Sequence, residues 1–246
     1  MKLTTENTAK LTALLNTAGI CGIESIVIID NKARGINPAK TCFLVSSDNL
    51  PQFPQKIGLG RLKDLQSRIS VFTDKSDVVV DAKESERGEI TSLEVSSGRN
   101  RVQYRCQSTV LLADSIPKNV PDAFNPAYKL FINKDEIKMI LDAVRVMGSK
   151  RVTLSIKGDR SVSFTTSDAS NDNFTVAIST PAERITEDEE TVVNYYAVDV
   201  FSPVMKELMS LDTAVVQVGE RGTMTAKINQ HNVVLLPQVN DAGEEE

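Results

Sequence analysis

Residues 133–164 read NKDEIKMILDAVRVMGSKRVTLSIKGDRSVSF, and the spacing of the apolar residues changes once within this stretch. Asn133 and Glu136 stand at the N-cap and N3 positions of a helix, and apolar residues then recur at helical spacing until Gly148. From Arg151 onward apolar and polar residues alternate, with a polar turn at residues 157–159. The stretch therefore predicts an amphipathic helix followed by a β-hairpin. The apolar face of this helix consists of Ile137, Ile140, Leu141, Val144 and Met147.

The same order of elements occurs in the first half of the chain. Residues 7–18 predict a helix that ends at Gly19, and two strands at residues 25–30 and 41–46 follow it on either side of a polar turn. The apolar face of this helix contains Leu11, Leu14, Leu15 and Ala18, while Asn7, Lys10 and Thr17 lie off that face.

Each half also contains a second predicted helix after further strands. Residues 59–71 form one, and the other begins near Ser202 and Pro203, because serine is a good N-cap and proline suits the first helical position. We interpret the chain as a duplicated unit because this order recurs. The apolar residues of the two helices are Leu62, Leu65 and Ile69 in the first, and Phe201, Val204, Met205, Leu208 and Leu211 in the second.

The predicted fold class is α+β, with two duplicated β-rich domains that each carry two helices. Residues 114–126, which read DSIPKNVPDAFNP, contain three prolines and no useful periodicity, so they predict a connector at the surface. We therefore expect an N-terminal domain at residues 1–113 and a C-terminal domain at residues 127–246.

Composition indicates a globular protein of the cell interior. Hydrophobic residues make up 41% of the 246 positions, yet the longest apolar runs are far shorter than the roughly 20 residues of a membrane helix. The opening MKLTTENTAK has no apolar signal region, so we expect a protein that is not secreted and that works in the cytoplasm of its cell or host cell. Cys21, Cys42 and Cys106 are widely spaced, which favours reduced, buried thiols over a metal or redox site.

The sequence contains no constellation typical of an enzyme. His231 is the only histidine, and we expect it on a solvent-facing turn in NQHNVV. Gly58 and Gly60 form the pattern nearest to a phosphate loop, but Lys63 stands where a third small residue is needed. We therefore expect no catalytic residue, no metal and no cofactor.

Acidic residues are concentrated in two segments. The net charge is -5, yet one acidic run lies at residues 183–190 and an acidic tail lies at residues 241–246. Outside these segments basic residues outnumber acidic ones. Such runs are usually solvated, and the remaining surface is compatible with a local basic region.

Two strands carry alternating apolar rows that predict exposed sheet edges. An ordinary sheet interior explains such rows equally well, but two open edges would also allow a head-to-tail contact between one chain's first half and the next chain's second half. Repeated contacts of this kind close into a ring where the rotation permits. The candidate subunit-interface residues are Val102, Tyr104 and Cys106 in the first half, and Phe174, Val176 and Ile178 in the second.

Three stretches resemble a known family, the DNA sliding clamps of the proliferating-cell-nuclear-antigen type, including those of tailed bacteriophages. They are the opening MKLTTENTAKLTALL, the block at residues 134–164, and NVVLLPQVND with the acidic tail. The resemblance covers the architecture of the whole chain. It implies a DNA-clamp fold, three identical subunits in a closed ring, and helices that line the hole.

The resemblance implies a DNA polymerase processivity factor that encircles double-stranded DNA without reading its sequence and tethers a polymerase after a clamp loader has placed it. Basic side chains on the four helices would then attract phosphates loosely. The candidate DNA-facing residues lie off the apolar faces of the predicted helices and are Lys10, Lys63, Arg68, Lys138, Arg145 and Lys206.

The resemblance also implies an apolar pocket for short partner peptides between the connector and the last strand. Core packing is the competing interpretation, above all for Leu235. Val233 and Val234 stand where eukaryotic members commonly have aromatic residues, which implies a different peptide preference. The candidate pocket residues are Val120, Tyr128, Val234, Leu235, Leu236, Pro237 and Val239.

Two other classes remain open on the sequence alone. A β-rich structural or adaptor protein of a multi-subunit, possibly viral, assembly would share the open strand edges and the lack of catalytic residues, but it would not encircle DNA. An enzyme has the least support, because no acid, base or nucleophile is singled out by its spacing.

Overall fold

The structure is a computed structural model that describes residues 2–3, 5–53, 55–72, 78–86, 88–118, 120, 123, 125–186 and 191–238. The chain forms two compact units. The first unit comprises residues 1–119 together with 229–232, and the second comprises residues 120–228 together with 233–246.

The first unit contains three helices and eight strands among its described residues 2–118. The helices are α1 (Thr5–Ile20), α2 (Leu62–Ser70) and α3 (Thr109–Ser115). The strands are β1 (Lys2–Leu3), β2 (Ile26–Ile29), β3 (Lys32–Ile36), β4 (Cys42–Ser46), β5 (Ile57–Leu59), β6 (Val79–Glu84), β7 (Ile90–Ser97) and β8 (Asn100–Arg105). The short helix α3 was not expected from the sequence, and its last two residues fall in the predicted connector.

The strands of the first unit pair in two antiparallel groups. One has the order β1-β6-β7-β8, and the other has the order β5-β2-β3-β4. Leu11, Leu14 and Leu15 of α1 are buried, as the helical spacing predicted. This apolar face of α1 contributes to the core of the unit, because the removal of apolar surface from water is the main favourable contribution to folding.

The second unit contains two helices and nine strands among its described residues. The helices are α4 (Lys134–Met147) and α5 (Val198–Leu208). The strands are β9 (Pro126–Asn133), β10 (Arg151–Ile156), β11 (Val162–Ser167), β12 (Asn173–Ile178), β13 (Glu183–Arg184), β14 (Val192–Ala197), β15 (Thr213–Gly219), β16 (Met224–Ile228) and β17 (His231–Leu235). The first two residues of β17 belong to the first unit and the other three to the second.

The second unit repeats the strand order of the first. The order β12-β11-β10-β14 corresponds to β4-β3-β2-β5, and β9-β15-β16 corresponds to β1-β6-β7, with β13 added beside β9. By position in the chain, β17 is then the counterpart of β8, and β12 is the counterpart of β4. The sequence repeat therefore corresponds to a repeat of structure.

Helix α4 has the ends that the sequence predicts. The Asn133 side chain accepts a hydrogen bond from the Glu136 backbone at 2.9 Å, and the Glu136 carboxylate accepts one from the Asn133 backbone at 2.9 Å. Gly148 follows the helix in the left-handed region at φ 61°. Both ends are fixed by residues within the helix's own sequence, which is why the sequence locates them well.

Three other helix boundaries differ from the prediction. Helix α1 runs past Gly19 and ends in a Schellman motif, in which Ile23 N donates to Ala18 O and Gly22 N donates to Gly19 O with Gly22 at φ 65°. Helix α2 begins at Leu62, because Leu59 belongs to β5.

Helix α5 begins at Val198 and not near Ser202, so Pro203 lies inside it. Its N-cap, Ala197, makes no side-chain capping bond, and the sequence therefore carries no capping signal at this end. Leu211, expected on the apolar face, is 47% exposed beyond the end of the helix.

The described residues contain no helix that is both long enough and apolar enough to cross a lipid bilayer. They also contain no group of three or more His, Cys, Asp and Glu side chains that could hold a metal ion.

Candidate functional site

Strand β8 is the last strand in its sheet order, and one side of its backbone is open to other groups. Cys106 N donates to Thr91 O of the neighbouring strand, so Tyr104 and Val102 also turn their backbone groups toward β7. The backbone groups of Gln103 and Arg105 therefore point away from β7. These are the groups that an added strand would bind.

Two arginines of the α2 segment contact this open edge. Arg68 Nη1 donates to Gln103 O at 2.7 Å, and Arg61 Nη2 lies 3.5 Å from Arg105 O. Both guanidinium groups also lie over the Tyr104 ring, at 5.8 and 5.9 Å from its centroid. Arg68 was predicted to face DNA, and in the isolated subunit its guanidinium instead binds the strand edge.

The predicted interface row of β8 is only partly accessible. Tyr104 is fully buried, and its hydroxyl donates to Gly60 O. Burial, together with the nearby Cys106, raises the pKa of the Tyr104 phenol, so this hydroxyl stays protonated. Val102 and Cys106 are half-buried, and burial raises the pKa of the Cys106 thiol to about 12. Of this row, Val102 and Cys106 remain available to a partner.

Strand β12 is the last strand of the β12-β11-β10-β14 sheet in the second unit. Val176 and Ile178 are buried within this unit, because the face of β12 that they share packs against α4. Phe174, at the other end of the same row, is 40% exposed. Only Phe174 of this predicted row therefore presents its side chain to a partner.

An apolar cleft of about 310 Å³ lies between Phe174 and helix α4. Met139 and Val146 line it and are 52% and 73% exposed, which is unusual for residues of this size. Polar residues border the cleft. They are Asp135, Lys138 and Asp142.

Glu136 fixes the orientation of α4 along β12. Its carboxylate accepts a hydrogen bond from Ser179 N at 2.7 Å, so the first turn of α4 lies at the end of β12. Burial acts to raise the pKa of the Glu136 carboxyl, but the hydrogen bonds from Ser179 and Asn133 outweigh it and lower the pKa. The carboxylate is therefore ionised near neutral pH and holds both elements.

The six predicted DNA-facing residues form two groups. Lys63, Lys138 and Lys206 are exposed on α2, α4 and α5 and make no ion pair within the described part of the chain. The other three are engaged within their own unit: Lys10 pairs with Glu6 at 2.6 Å, Arg145 pairs with Asp142 at 2.7 Å, and Arg68 binds Gln103 O.

Half of the six described residues of the predicted peptide pocket are buried. Tyr128, Val234 and Leu235 are at most 3% exposed. They belong to the core of the second unit, so their assignment to a peptide pocket is wrong. Leu236 and Pro237 are half-buried, as is Val120. Val239 lies outside the described residues. Gln238 N donates to Tyr195 O at 2.8 Å, which fixes Gln238 beside β14.

His231 is fully buried and does not lie on a solvent-facing turn as predicted. The turn is formed by Asn229 and Gln230, both at positive φ, and β17 begins at His231. His231 Nδ1 lies 2.9 Å from Ser46 Oγ, and the Ser46 hydroxyl donates a hydrogen bond to Asp48 O at 2.8 Å. Nδ1 therefore carries the proton and donates a hydrogen bond to Ser46 Oγ. The other ring nitrogen, Nε2, is buried without a partner among the described residues.

This arrangement predicts that the first unit loses stability in mild acid. Burial lowers the pKa of His231, whereas the unfolded chain has an ordinary histidine pKa of about 6.5. As the pH falls below that value, the unfolded state binds a proton that the folded state resists, so stability decreases. Urea unfolding between pH 7.5 and 5 should show this loss. His231→Gln should show a smaller pH dependence over the same range, and an equal dependence in both proteins would contradict the assignment.

Gly58 has a structural reason for being glycine that is unrelated to phosphate binding. Gln107 N donates to Gly58 O at 2.8 Å, and the two residues form an isolated antiparallel bridge. A Cβ on Gly58 would lie 2.4 Å from Gln107 O, and a Cβ on Gly60 would lie 2.0 Å from Gln107 Oε1. Gly58 therefore permits β5 to approach the segment that follows β8, whereas a Cβ on Gly60 would meet only the end of a flexible side chain that can rotate away.

Comparison with known proteins finds likeness in structure and none in sequence families. No protein-family model matches the chain, and no curated protein matches it. A. fulgidus PCNA, solved with the C-terminal region of FEN-1 bound, matches 98% of this chain and 99% of its own at 12% identity, with a TM-score of 0.64. The proliferating cellular nuclear antigen of Entamoeba histolytica matches 97% and 98% at 12% identity and a TM-score of 0.64.

A chain of the PCNA2–PCNA3 complex from Sulfolobus tokodaii also matches, over 97% of this chain and 99% of its own, at 14% identity and a TM-score of 0.59. These matches cover both units. The chain therefore has the DNA sliding clamp fold, and its fold class is α+β, as expected from the sequence.

Proposed function

We propose that this protein is a homotrimeric sliding clamp, a DNA polymerase processivity factor that encircles double-stranded DNA and has no enzymatic activity. Three copies would join head to tail, with β8 of one copy beside β12 of the next. The proposal is supported by the fold and by a pairing that the chain already contains once.

The part of that pairing that lies inside the first unit is one side-chain contact, and this contact carries the proposal. His231, the first residue of β17, lies against Ser46, the last residue of β4. Since β17 is the counterpart of β8 and β4 is the counterpart of β12, the same kind of contact is available to the two open edges of neighbouring copies. A heterologous contact of this type generates a closed ring when its rotation permits.

In such a ring the exposed basic residues of the helices would hold the duplex loosely. Lys63, Lys138 and Lys206 are the strongest candidates, because they are exposed and make no ion pair among the described residues. Lys10, Arg68 and Arg145 would contribute less, since each is held by a group of its own unit.

The division into two groups gives a matched experiment. Changing Lys63, Lys138 and Lys206 together to glutamine should weaken DNA binding and reduce the slope of log K against log salt, by about 0.9 for each phosphate that the protein no longer neutralises. The same change at Lys10, Arg68 and Arg145 removes an equal charge and should reduce the slope less. Fluorescence anisotropy with a short duplex over a salt series measures both. Equal slopes for the two variants would contradict this assignment of the phosphate-binding residues.

A polymerase and a clamp loader are the expected protein partners in the cytoplasm of a cell or of a phage-infected host. Short peptides of these partners would dock beside Leu236 and Pro237, the accessible residues at the end of the last strand, with Val120 of the connector as a further candidate. Leu236→Asp should then weaken peptide binding without unfolding the second unit, because this side chain is only half-buried.

A further inference from the structure

The short helix α3 presents an apolar pair that its own unit does not cover. Val110 and Leu111 are adjacent in the sequence and are 56% and 67% exposed. Single exposed apolar residues are common on protein surfaces, but two large neighbouring ones on an ordered helix form a small patch.

Contacts on the opposite side hold α3 firmly in the first unit. Leu112 is buried, and Thr109 Oγ1 donates to the Glu89 carboxylate at 2.9 Å. Glu89 is in turn paired with Lys56 at 3.0 Å. The apolar pair is therefore displayed on a fixed element.

The pairing inside the first unit predicts where α3 would meet a neighbouring copy. His231 begins β17 and Ser46 ends β4, so the contact joins the start of one strand to the end of the other, which is the arrangement of an antiparallel pair. If β8 of one copy pairs with β12 of the next copy in the same way, the end of β8 at Arg105 lies beside the start of β12 at Asn173. Helix α3 begins four residues after Arg105, and Phe174 is the second residue of β12.

The start of β12 is also the place of the apolar cleft on α4. Because Glu136 binds Ser179 N beyond the end of β12, the later turns of α4, with Val146, lie toward its start. The cleft of about 310 Å³ has space for small aliphatic side chains.

We propose that Val110 and Leu111 of one copy dock in the cleft formed by Met139, Val146 and Phe174 of the next copy. This inference rests on the proposed ring, and it adds a contact outside the paired strands. The partner is a second copy of this chain, because that copy supplies both an apolar cleft and the matching strand edge at the expected place.

Cysteine pairing tests the contact directly. A chain carrying Leu111→Cys and Val146→Cys, in a Cys106→Ser background that removes the half-exposed native thiol, should form covalent dimers and trimers under mild oxidation. Leu111→Cys combined with Val193→Cys is the control, because Val193 is similarly exposed on β14, at the far end of the strand order from β12. Cross-linking in the first chain alone supports the contact, whereas equal cross-linking or none in both overturns it.

The dissociation of the assembly gives the second measurement. Leu111→Asp should weaken each subunit contact by about 10- to 100-fold, since one large apolar side chain loses its burial. Val193→Asp should leave the assembly unchanged. A trimer that is unaffected by Leu111→Asp overturns the α3 contact and leaves the ring proposal standing. A wild-type protein that stays monomeric at all concentrations overturns both.

Discussion

Gln103→Pro should convert the proposed trimer into monomers. The Gln103 N–H points away from β7, so proline at this position leaves the hydrogen bonds within the sheet intact and removes a donor from the open edge. The partner strand would then keep a buried carbonyl without a donor, at a cost of about 1–3 kcal/mol per subunit interface. Each interface should weaken by about 5- to 150-fold. Light scattering over a dilution series measures the change.

The control for this variant is Gln103→Ala. It loses the side-chain bond to Ser92 Oγ, which is 3.1 Å long, but keeps the backbone N–H. We expect it to remain a trimer of about three times 26.9 kDa. Thermal unfolding of diluted Gln103→Pro should match that of wild type. If Gln103→Pro also remained trimeric at low concentration, β8 would not be the subunit edge.

Gly58→Ala should destabilise the first unit more than any exposed substitution. The new Cβ would lie 2.4 Å from the Gln107 carbonyl oxygen, which belongs to the backbone and cannot rotate away. Overpacking of this kind costs about 1–3 kcal/mol. The end of β8 depends on the same bridge, so we also expect weaker subunit association. Urea unfolding, followed at the transition of the first unit, measures the destabilisation.

Gly158→Ala is the matched control for Gly58→Ala. No atom lies within 4 Å of its Cβ position, and its backbone is not in the left-handed region. We expect an unchanged stability or a gain of about 0.4–1 kcal/mol, because alanine restricts the unfolded chain. If Gly58→Ala were as stable as Gly158→Ala, the close approach of Gln107 to Gly58 would be wrong.

The sequence predicted best the features that are determined by nearby residues. The capping box of Asn133 and Glu136 and the left-handed Gly148 define α4 without help from the rest of the fold. The duplicated order of strands was predictable for the same reason, since the alternation of apolar residues is a local property. The sliding clamp fold followed from that order together with the resemblance.

Features that depend on distant contacts were missed. Nothing around Gly58 indicates that Gln107 approaches it, and nothing in NQHNVV indicates that Ser46 buries His231. The end of α1 was misplaced at Gly19 because two glycines compete there, and the bonds of the Schellman motif select Gly22. Asn229 tolerates positive φ and was the signal that could have placed a two-residue turn before His231 and His231 itself in the strand.

Site residues were the hardest to predict, because periodicity gives the face of a residue and not its partner. Lys10, Arg68 and Arg145 stand on polar helix faces as predicted, yet each is bound by a neighbour in the same unit. Tyr104 and Val176 lie on the apolar faces of their strands, as the alternation predicts. Those faces are buried in the cores of their own units. Arg61 was missed because its role depends on the left-handed backbone before α2, at φ 49°.

Release from DNA after cutting tests the central claim most directly. Subunits would be dissociated by dilution, concentrated again with nicked circular duplex DNA, and separated from free protein at a salt concentration that suppresses phosphate contacts. A ring that encloses the duplex should remain on the circle and leave quickly once a single restriction cut provides an end. Dissociation at the same rate from circular and cut DNA would show that the protein binds the surface of DNA and does not encircle it.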